Sequence, residues 1–250
     1  MKIKAKTIIL LLVISQLALS SCKTYRNLDK ALASPEDVIV LKIKNKNIQE
    51  LPPEISTLKN LKTLYLFRNK LTSIPKEIGE LENLETLILS SNKLESLPPE
   101  IGNLKKLKKI SLKHNNLKFL PTEIGKIESL EYIDVQYNEM KTLPPEIGNL
   151  KSLKFLYLNN NELYSIPSEI GNLESLQYLV IGKNSLTKLP NEIGKLKYLI
   201  ELNLVNCGPI VEIPSSISNL KYLEYLFVDR SIILPYSLNP MNSRLQVVIQ

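Results

Sequence analysis

The 250-residue sequence has no tryptophan, one histidine (His114) and two cysteines (Cys22 and Cys207). A metal site built from clustered cysteine and histidine side chains is excluded, because no such cluster exists. We expect no disulfide either, because Cys22 is expected to be acylated and Cys207 to occupy a repeat position, as described below. His114 has no serine, cysteine or carboxylate placed to form a nucleophile–base pair with it. We therefore expect no enzymatic activity and no cofactor.

Acidic residues are only slightly fewer than basic ones, at 25 Asp and Glu against 32 Lys and Arg. Removing residues 1–21 removes three lysines, which leaves 29 basic and 25 acidic residues and a net charge of +4. This excess is spread over the chain, and no basic block marks a nucleic-acid surface. We therefore expect no nucleic-acid partner.

One apolar run, Thr7–Leu19, follows three lysines near the N-terminus. It is too short to span a bilayer well and is typical of the core of a secretory signal. It ends in Leu19-Ser20-Ser21-Cys22, which resembles the bacterial lipobox. That resemblance implies cleavage before Cys22 and acylation of this cysteine, which would anchor the chain in a membrane. The alternative is an ordinary secreted protein that is cleaved nearby, with Cys22 incidental.

A 23-residue period runs from about Val38 to the end of the chain. After coil one, which begins at Val38, coils two to eight begin at Leu61, Leu84, Leu107, Leu130, Leu153, Leu176 and Leu199, and coil nine begins at Leu223 after one extra residue. Alternating apolar residues predict a short strand in each coil, and adjacent strands should stack about 4.8 Å apart in one parallel sheet. A row of asparagines follows the strands, and their amides should hydrogen-bond to neighbouring coils: Asn69, Asn92, Asn115, Asn138, Asn161 and Asn184. Cys207 takes this place in coil eight.

The second half of each coil predicts a short helical turn. A proline begins it, and in seven coils a glutamate two residues later lies near free N–H groups. Six glycines should bend or end the turn: Gly79, Gly102, Gly125, Gly148, Gly171 and Gly194. At the ends of the repeat, Leu28, Ala31 and Leu32 predict a short helix that covers the sheet edge. The alternating Leu245, Val247 and Ile249 predict a final strand.

Coils such as Leu84–Lys106 follow L-x-x-L-x-L-x-x-N-x-L-x-x-L-P-x-E-I-G-x-L. This pattern resembles the 23-residue class of leucine-rich repeats. Together with Leu19–Cys22, the chain resembles a bacterial leucine-rich repeat lipoprotein. The resemblance implies an α/β solenoid, a horseshoe with a parallel sheet on the concave face and short helical or 3-10 segments on the convex face. The expected organisation is a lipoprotein signal peptide (1–21), a lipidated N-terminus with a capping segment (22–37) and a repeat domain of about nine coils that includes a C-terminal cap (38–250).

The same resemblance implies a non-enzymatic protein that binds other proteins or glycans. We expect a lipid-anchored protein of the cell envelope, at the outer membrane or cell surface rather than the inner membrane. Its concave face should bind a protein partner, host proteins included, with a glycan as a second class of ligand. The alternative is a structural envelope component that organises membrane proteins or polysaccharide.

Aromatic residues are concentrated at strand positions that point away from the core. Tyr132, Phe155 and Tyr178 are 23 residues apart, so they should form one row across three adjacent strands. The predicted partner-binding residues are Tyr65, Phe67, Tyr132, Tyr137, Phe155, Tyr157 and Tyr178. Exposed aromatic side chains on a rigid face suit binding, although cross-strand aromatic pairs also stabilise a sheet. A second row alternates in charge and predicts cross-strand pairing: Lys62, Glu85, Lys108, Glu131 and Lys154.

Overall fold

The computed structural model describes residues 24–208, 212–238 and 244–250. The predicted signal peptide and its Cys22 lie outside the described residues. Eleven strands form one sheet in which each strand pairs in parallel with the next one along the chain. An open parallel sheet in chain order is what a repeat that adds one strand per coil produces. The predicted leucine-rich repeat solenoid is therefore confirmed.

The strands are short. They are β1 Thr24–Tyr25, β2 Val40–Lys42, β3 Thr63–Tyr65, β4 Thr86–Ile88, β5 Lys109–Ser111, β6 Tyr132–Asp134, β7 Phe155–Tyr157, β8 Tyr178–Val180, β9 Glu201–Asn203, β10 Tyr225–Val228 and β11 Gln246–Ile249. Strands β2 to β10 belong to coils one to nine in order, so each coil contributes one strand to the sheet.

Helical segments return the chain from one strand to the next. One α-helix, α1, spans Leu28–Leu32. The others are 3-10 helices: Pro35–Asp37, Pro53–Thr57, Lys76–Glu80, Pro99–Asn103, Thr122–Lys126, Pro145–Asn149, Ser168–Asn172, Asn191–Lys195, Ser215–Asn219 and Tyr236–Leu238. In seven of the coils the predicted glutamate lies in the first turn of its 3-10 helix, the end of a helix at which a negative charge is favourable.

The core lies between the sheet and the 3-10 helices. In coil three, the inward-facing Leu87 and Leu89 are fully buried, as is Ile101 on the opposite wall. The same positions are filled by leucine, isoleucine or valine in neighbouring coils, so one continuous apolar core runs the length of the solenoid. The side chains that alternate with these core residues point away from it. They form the strand face, defined here as the outward-pointing residues from the one directly before each of β2–β10 to the tight turn directly after it.

The predicted asparagine ladder joins successive coils. The Asn115 side chain donates to the carbonyl oxygens of Leu112 in its own coil (2.8 Å) and Leu89 in the preceding one (3.1 Å). Its carbonyl oxygen accepts the backbone N–H of Leu94 at 3.0 Å. Buried Cys207 takes this position in coil eight, and its backbone carbonyl accepts the N–H of Leu186 at 2.6 Å. A backbone carbonyl thus replaces the amide at the last step of the ladder.

The six repeated glycines have a different role from the one expected. The prediction that they bend or end the helical turn is wrong, because they lie inside the 3-10 helices and none of the six has a positive φ. A Cβ atom on Gly102 would lie 2.6 Å from the carbonyl oxygen of Glu123 in the next coil, which is too close. Glycine is therefore required here because adjacent coils pack closely, and its conformational freedom is not used.

A residue in the left-handed conformation follows each strand of coils one to eight. These residues are Asn45, Arg68, Ser91, His114, Tyr137, Asn160, Lys183 and Asn206, all with φ between 53° and 59°. For most residue types this conformation costs about 1–2 kcal/mol. The left-handed conformation directs the backbone N–H of the residue toward the next coil. The N–H of Tyr137, for example, donates to the carbonyl of Asn159 at 3.2 Å. The expectation that Tyr137 occupies an outward strand position is wrong, because it lies in this turn.

The two ends of the sheet differ in how well the sequence predicts them. Helix α1 forms as expected, with the Asn27 side chain accepting the N–H of Lys30 at 2.8 Å. However, the edge itself is β1, a strand that pairs with β2. At the other end the predicted final strand is confirmed as β11. Within the described ranges, no helix is long and apolar enough to cross a membrane.

Candidate functional site

Four aromatic side chains meet on the strand face and are called the aromatic cluster: Tyr132, Phe155, Tyr157 and Tyr178. The predicted row of three is confirmed, because Tyr132 pairs with Phe155 and Phe155 with Tyr178 in the sheet register. The ring centroids of Phe155 and Tyr178 are 5.1 Å apart and their planes differ by 14°. Tyr132 lies 6.0 Å from Phe155 and 5.5 Å from Tyr157. Each ring is half-buried, so one part packs on its neighbours and another faces solvent.

The row of aromatic rings ends in opposite charges. On the N-terminal side, the Lys109 ammonium lies 4.3 Å from the centroid of the Tyr132 ring, which is a cation–π contact. On the C-terminal side, Glu201 pairs in register with Tyr178. Burial raises the pKa of the Glu201 carboxyl. An aromatic surface bounded by a cation and a carboxylate can orient a ligand as well as hold it.

A buried carboxylate lies beside the cluster on the same face. Asp134 is 7% exposed although it points to the strand face. Its Oδ1 accepts the backbone N–H of Gln136 at 3.1 Å. Burial raises the pKa of Asp134, and the hydrogen bond from Gln136, the Lys113 charge and the hydroxyls of Tyr132 and Ser111 oppose that rise. Burial, followed by the Asp134 charge, raises the pKa of Tyr132 to about 12.

Burial also raises the pKa of Tyr157, with smaller contributions from the charges of Glu201 and Asp134. The Ser111 hydroxyl is 2.7 Å from that of Ser90, which extends the polar contacts toward β4. Tyr132 is thus held by packing on two rings and by an acidic neighbour. A side chain fixed in this way loses little conformational entropy when a ligand covers it.

The other three predicted binding residues do not join the aromatic cluster. Tyr65 and Phe67 pack on each other at 6.0 Å, on and just after β3, which is three strands away. Lys44 and Arg68 lie over the Phe67 ring at 5.4 and 5.2 Å. Tyr137 stacks on His114 with ring centroids 4.2 Å apart, and Lys113 lies 5.2 Å from its ring. These residues form two smaller aromatic groups, each with a cation nearby.

His114 is held by this stacking in the left-handed turn. Burial, followed by the neighbouring Lys113 charge, lowers the pKa of its imidazole. Among the described residues, no group of three or more His, Cys, Asp or Glu side chains is placed to hold a metal ion. The contacts described on this face are ring packing, cation–π contacts and hydrogen bonds.

The predicted row of alternating charge is present in three ion pairs. Glu85 lies 3.6 Å from both Lys62 and Lys108, and Glu131 lies 2.7 Å from Lys154. The groups are partly exposed, so each pair stabilises the sheet only weakly.

Sequence reasoning missed two features. Asp134 is predictable as outward-facing but not as buried, because its burial depends on side chains of the flanking strands. Tyr198 and Tyr222 are not singled out by the pattern; they are more than half exposed and stack with centroids 5.9 Å apart. They lie just before the strands of coils eight and nine, outside the strand face. The only sequence signal for this pair is that each tyrosine comes directly before the leucine that begins its coil.

Comparison with known proteins agrees with this architecture. A family profile described as a leucine-rich repeat region matches residues 12–115, 100–185 and 168–248. The chain belongs to the leucine-rich repeat family. A search of curated protein sequences found no match.

Several solved leucine-rich repeat structures are similar. A leucine-rich repeat protein from Leptospira interrogans is 32% identical, with a TM-score of 0.65 over 91% of this chain and 76% of that one. The ectodomain of the Arabidopsis thaliana receptor kinase GASSHO1/SCHENGEN3, in complex with CASPARIAN STRIP INTEGRITY FACTOR 2, is 29% identical, with a TM-score of 0.75 over 86% of this chain but only 28% of the receptor chain. An internalin from Listeria monocytogenes shares the fold at 18% identity, with a TM-score of 0.72 over 89% of this chain and 70% of that one.

Proposed function

We propose that this leucine-rich repeat protein is a lipid-anchored, extracytoplasmic interaction module whose strand face binds a protein partner. The observation that carries the proposal is the aromatic cluster: four half-buried rings in contact on a rigid sheet. Aromatic side chains contribute much contact area with few rotatable bonds, so they are frequent at the centre of protein interfaces. The central residues are Tyr132, Phe155, Tyr157 and Tyr178, with Tyr65, Phe67 and Tyr137 as further contacts.

The comparisons support a protein ligand. The similar plant ectodomain is described in complex with a partner named as an integrity factor, and another similar structure is a plant peptide hormone receptor in complex with RGF2. This chain spans less than half of each of those receptor chains, so their biology is not transferred to it. We infer only the mode of action, recognition without catalysis.

Membrane attachment is inferred from Leu19–Cys22. Its likeness to a lipobox supports acylation at Cys22, and the preceding apolar run supports export. Anchoring at the outer membrane or cell surface would leave the strand face free to meet proteins from outside the cell. Anchoring on the periplasmic side would favour the alternative, a structural component that organises envelope proteins or polysaccharide.

Protease accessibility on intact bacteria tests the location. Digestion of the wild-type protein on intact cells, with a Cys22→Ala variant released or unprocessed, is the expected result. Protection until the envelope is broken would reject the surface location and favour the structural role.

Site-specific photo-crosslinking tests the binding face while the partner is still unidentified. A photoreactive phenylalanine analogue replaces Tyr157 or Tyr178 in one pair of variants, and Tyr198 or Tyr222 in the control pair. Discrete protein adducts from the first pair alone are expected. Adducts of equal yield from the control pair would contradict binding through the strand face.

A further inference from the structure

Charged residues are divided unevenly along the strand face. Coils one to four carry seven basic residues there: Lys42, Lys44, Lys62, Arg68, Lys108, Lys109 and Lys113. The same coils carry one acidic residue, Glu85. Coils five to nine carry five acidic residues, Glu131, Asp134, Glu201, Glu224 and Asp229, and three basic ones, Lys154, Lys183 and Arg230. The net charges of the two parts are therefore +6 and −2, and the even spread expected from the sequence does not hold on this face.

Coils one to four and coils five to nine exert separate electrostatic effects on a ligand. Strands lie about 4.8 Å apart, so the centres of the two parts are about 20 Å apart. At physiological ionic strength the Debye length is about 8 Å. A ligand over coils one to four is therefore influenced by the basic part with little compensation from the acidic residues farther along.

Most of the positive charge on the strand face of the first four coils is not cancelled locally. Glu85 is 3.6 Å from both Lys62 and Lys108, so two cations share its single charge. Lys42, Lys44 and Arg68 are exposed. Lys44 and Arg68 also lie over the Phe67 ring, which fixes two cations on the surface. The strand face of coils one to four therefore favours the binding of carboxylate groups.

The acidic charge that a ligand meets is greatest at coils eight and nine. Glu131 is paired with Lys154, and Asp134 is buried, so these contribute little to the outer field. Glu201 and Glu224 are half-buried and face the sheet surface with Asp229. The only basic strand-face residue in these two coils is Arg230. Along the solenoid, the surface therefore changes from basic to aromatic to weakly acidic.

We propose that the strand face binds a polypeptide segment with an acidic end over coils one to four, apolar residues over the aromatic cluster and a basic end over coils eight and nine. This inference rests on the proposed function and specifies its ligand. A polypeptide can change sign along its length in this way. A uniformly anionic polymer, such as an acidic glycan or a nucleic acid, would match the first four coils and be repelled by the last two.

The length of the segment follows from the sheet. Nine strands, β2 to β10, span about 38 Å at 4.8 Å per step, and an extended chain covers about 3.3 Å per residue. About 12 residues would cross the whole face. A displayed library of random peptides of about 16 residues is therefore a suitable probe, because it covers this length in every order of charge.

The test selects peptides on the immobilised protein and measures their affinities by fluorescence anisotropy. Enriched peptides should carry Asp or Glu at one end, aromatic or aliphatic residues in the middle and Lys or Arg at the other end. The variant Lys42→Glu/Lys44→Glu/Arg68→Glu should weaken their binding at least about tenfold at low ionic strength. The matched control, Lys76→Glu/Lys118→Glu/Lys141→Glu, makes the same change in net charge at exposed lysines outside the strand face and should retain the affinity.

Several results would contradict the proposed peptide ligand, and each points to a different alternative. Enrichment of uniformly acidic peptides, of peptides without a charge pattern or of none would overturn the proposal. So would tighter binding of labelled polygalacturonate than of any selected peptide, which would identify an acidic glycan. A dimer in light scattering that the strand-face triple variant dissociates would instead identify a second copy of this chain.

The same peptides separate this inference from the proposed function. Loss of binding in Tyr157→Ala/Tyr178→Ala with full binding in Lys42→Glu/Lys44→Glu/Arg68→Glu would reject the charge pattern alone. Full binding in Tyr157→Ala/Tyr178→Ala would reject the aromatic cluster as the binding surface and the proposed function with it.

Discussion

Replacing the buried Asn115 with alanine should destabilise the solenoid strongly. Asn115 is 7% exposed and makes three hydrogen bonds to backbone groups: to the carbonyls of Leu89 and Leu112 and from the N–H of Leu94. Each such bond contributes about 1 kcal/mol net, and a buried group left without a partner costs about 1–3 kcal/mol. We expect a loss of about 3 kcal/mol in the free energy of unfolding.

Urea denaturation followed by far-ultraviolet circular dichroism measures this loss. Asn116→Ala is the matched control, since the Asn116 side chain is exposed and the neighbouring ladder stays intact. Its effect should stay within about 0.5 kcal/mol. A loss below about 1 kcal/mol for Asn115→Ala, or equal losses in the two variants, would refute the argument that the ladder joins the coils.

Two further predictions concern coil spacing and a buried charge. Gly102→Ala should cost about 1–3 kcal/mol, because its Cβ would lie 2.6 Å from the Glu123 carbonyl oxygen, whereas Asn103→Ala beside it should be nearly neutral in the same denaturation assay. Asp134→Asn should raise the free energy of unfolding at neutral pH, because burial raises the pKa of Asp134 above 3.8 and the charged form therefore disfavours the folded state. The gain should vanish as the pH falls through the folded pKa; a gain that is constant with pH would contradict this.

The 23-residue period is sufficient to predict the features that repeat. Strand positions, the asparagine ladder and the row of Tyr132, Phe155 and Tyr178 all follow from spacing, since equivalent positions in successive coils become neighbours in the sheet. The final strand β11 also follows from alternation alone. Periodicity places side chains that lie one coil apart, and it does so reliably when every coil has the same length.

Features that depend on distances between coils could not be read from the sequence. The sequence does not distinguish a glycine that ends a helical turn from one that permits close packing. The role of Gly102 could be assigned only from the position of Glu123 in the next coil. The left-handed turn at Tyr137 was not predictable from the sequence, because an aromatic residue is unusual in that conformation. The burial of Asp134 depends on its neighbours on the flanking strands, Ser111 and Tyr157. The charge separation became visible only when each residue was assigned to the strand face.

The central claim is that the aromatic cluster forms the centre of a protein-binding surface. The most direct test measures the affinity of the crosslinked partner, once purified, for the wild type, for Tyr157→Ala/Tyr178→Ala and for Tyr198→Ala/Tyr222→Ala. A central aromatic contact often contributes about 2 kcal/mol or more, so the loss of even one of the two contacts should weaken binding at least about 30-fold. The control pair, which is exposed and stacked but outside the strand face, should bind like the wild type. Unchanged affinity in Tyr157→Ala/Tyr178→Ala would mean that these rings serve only to stabilise the sheet.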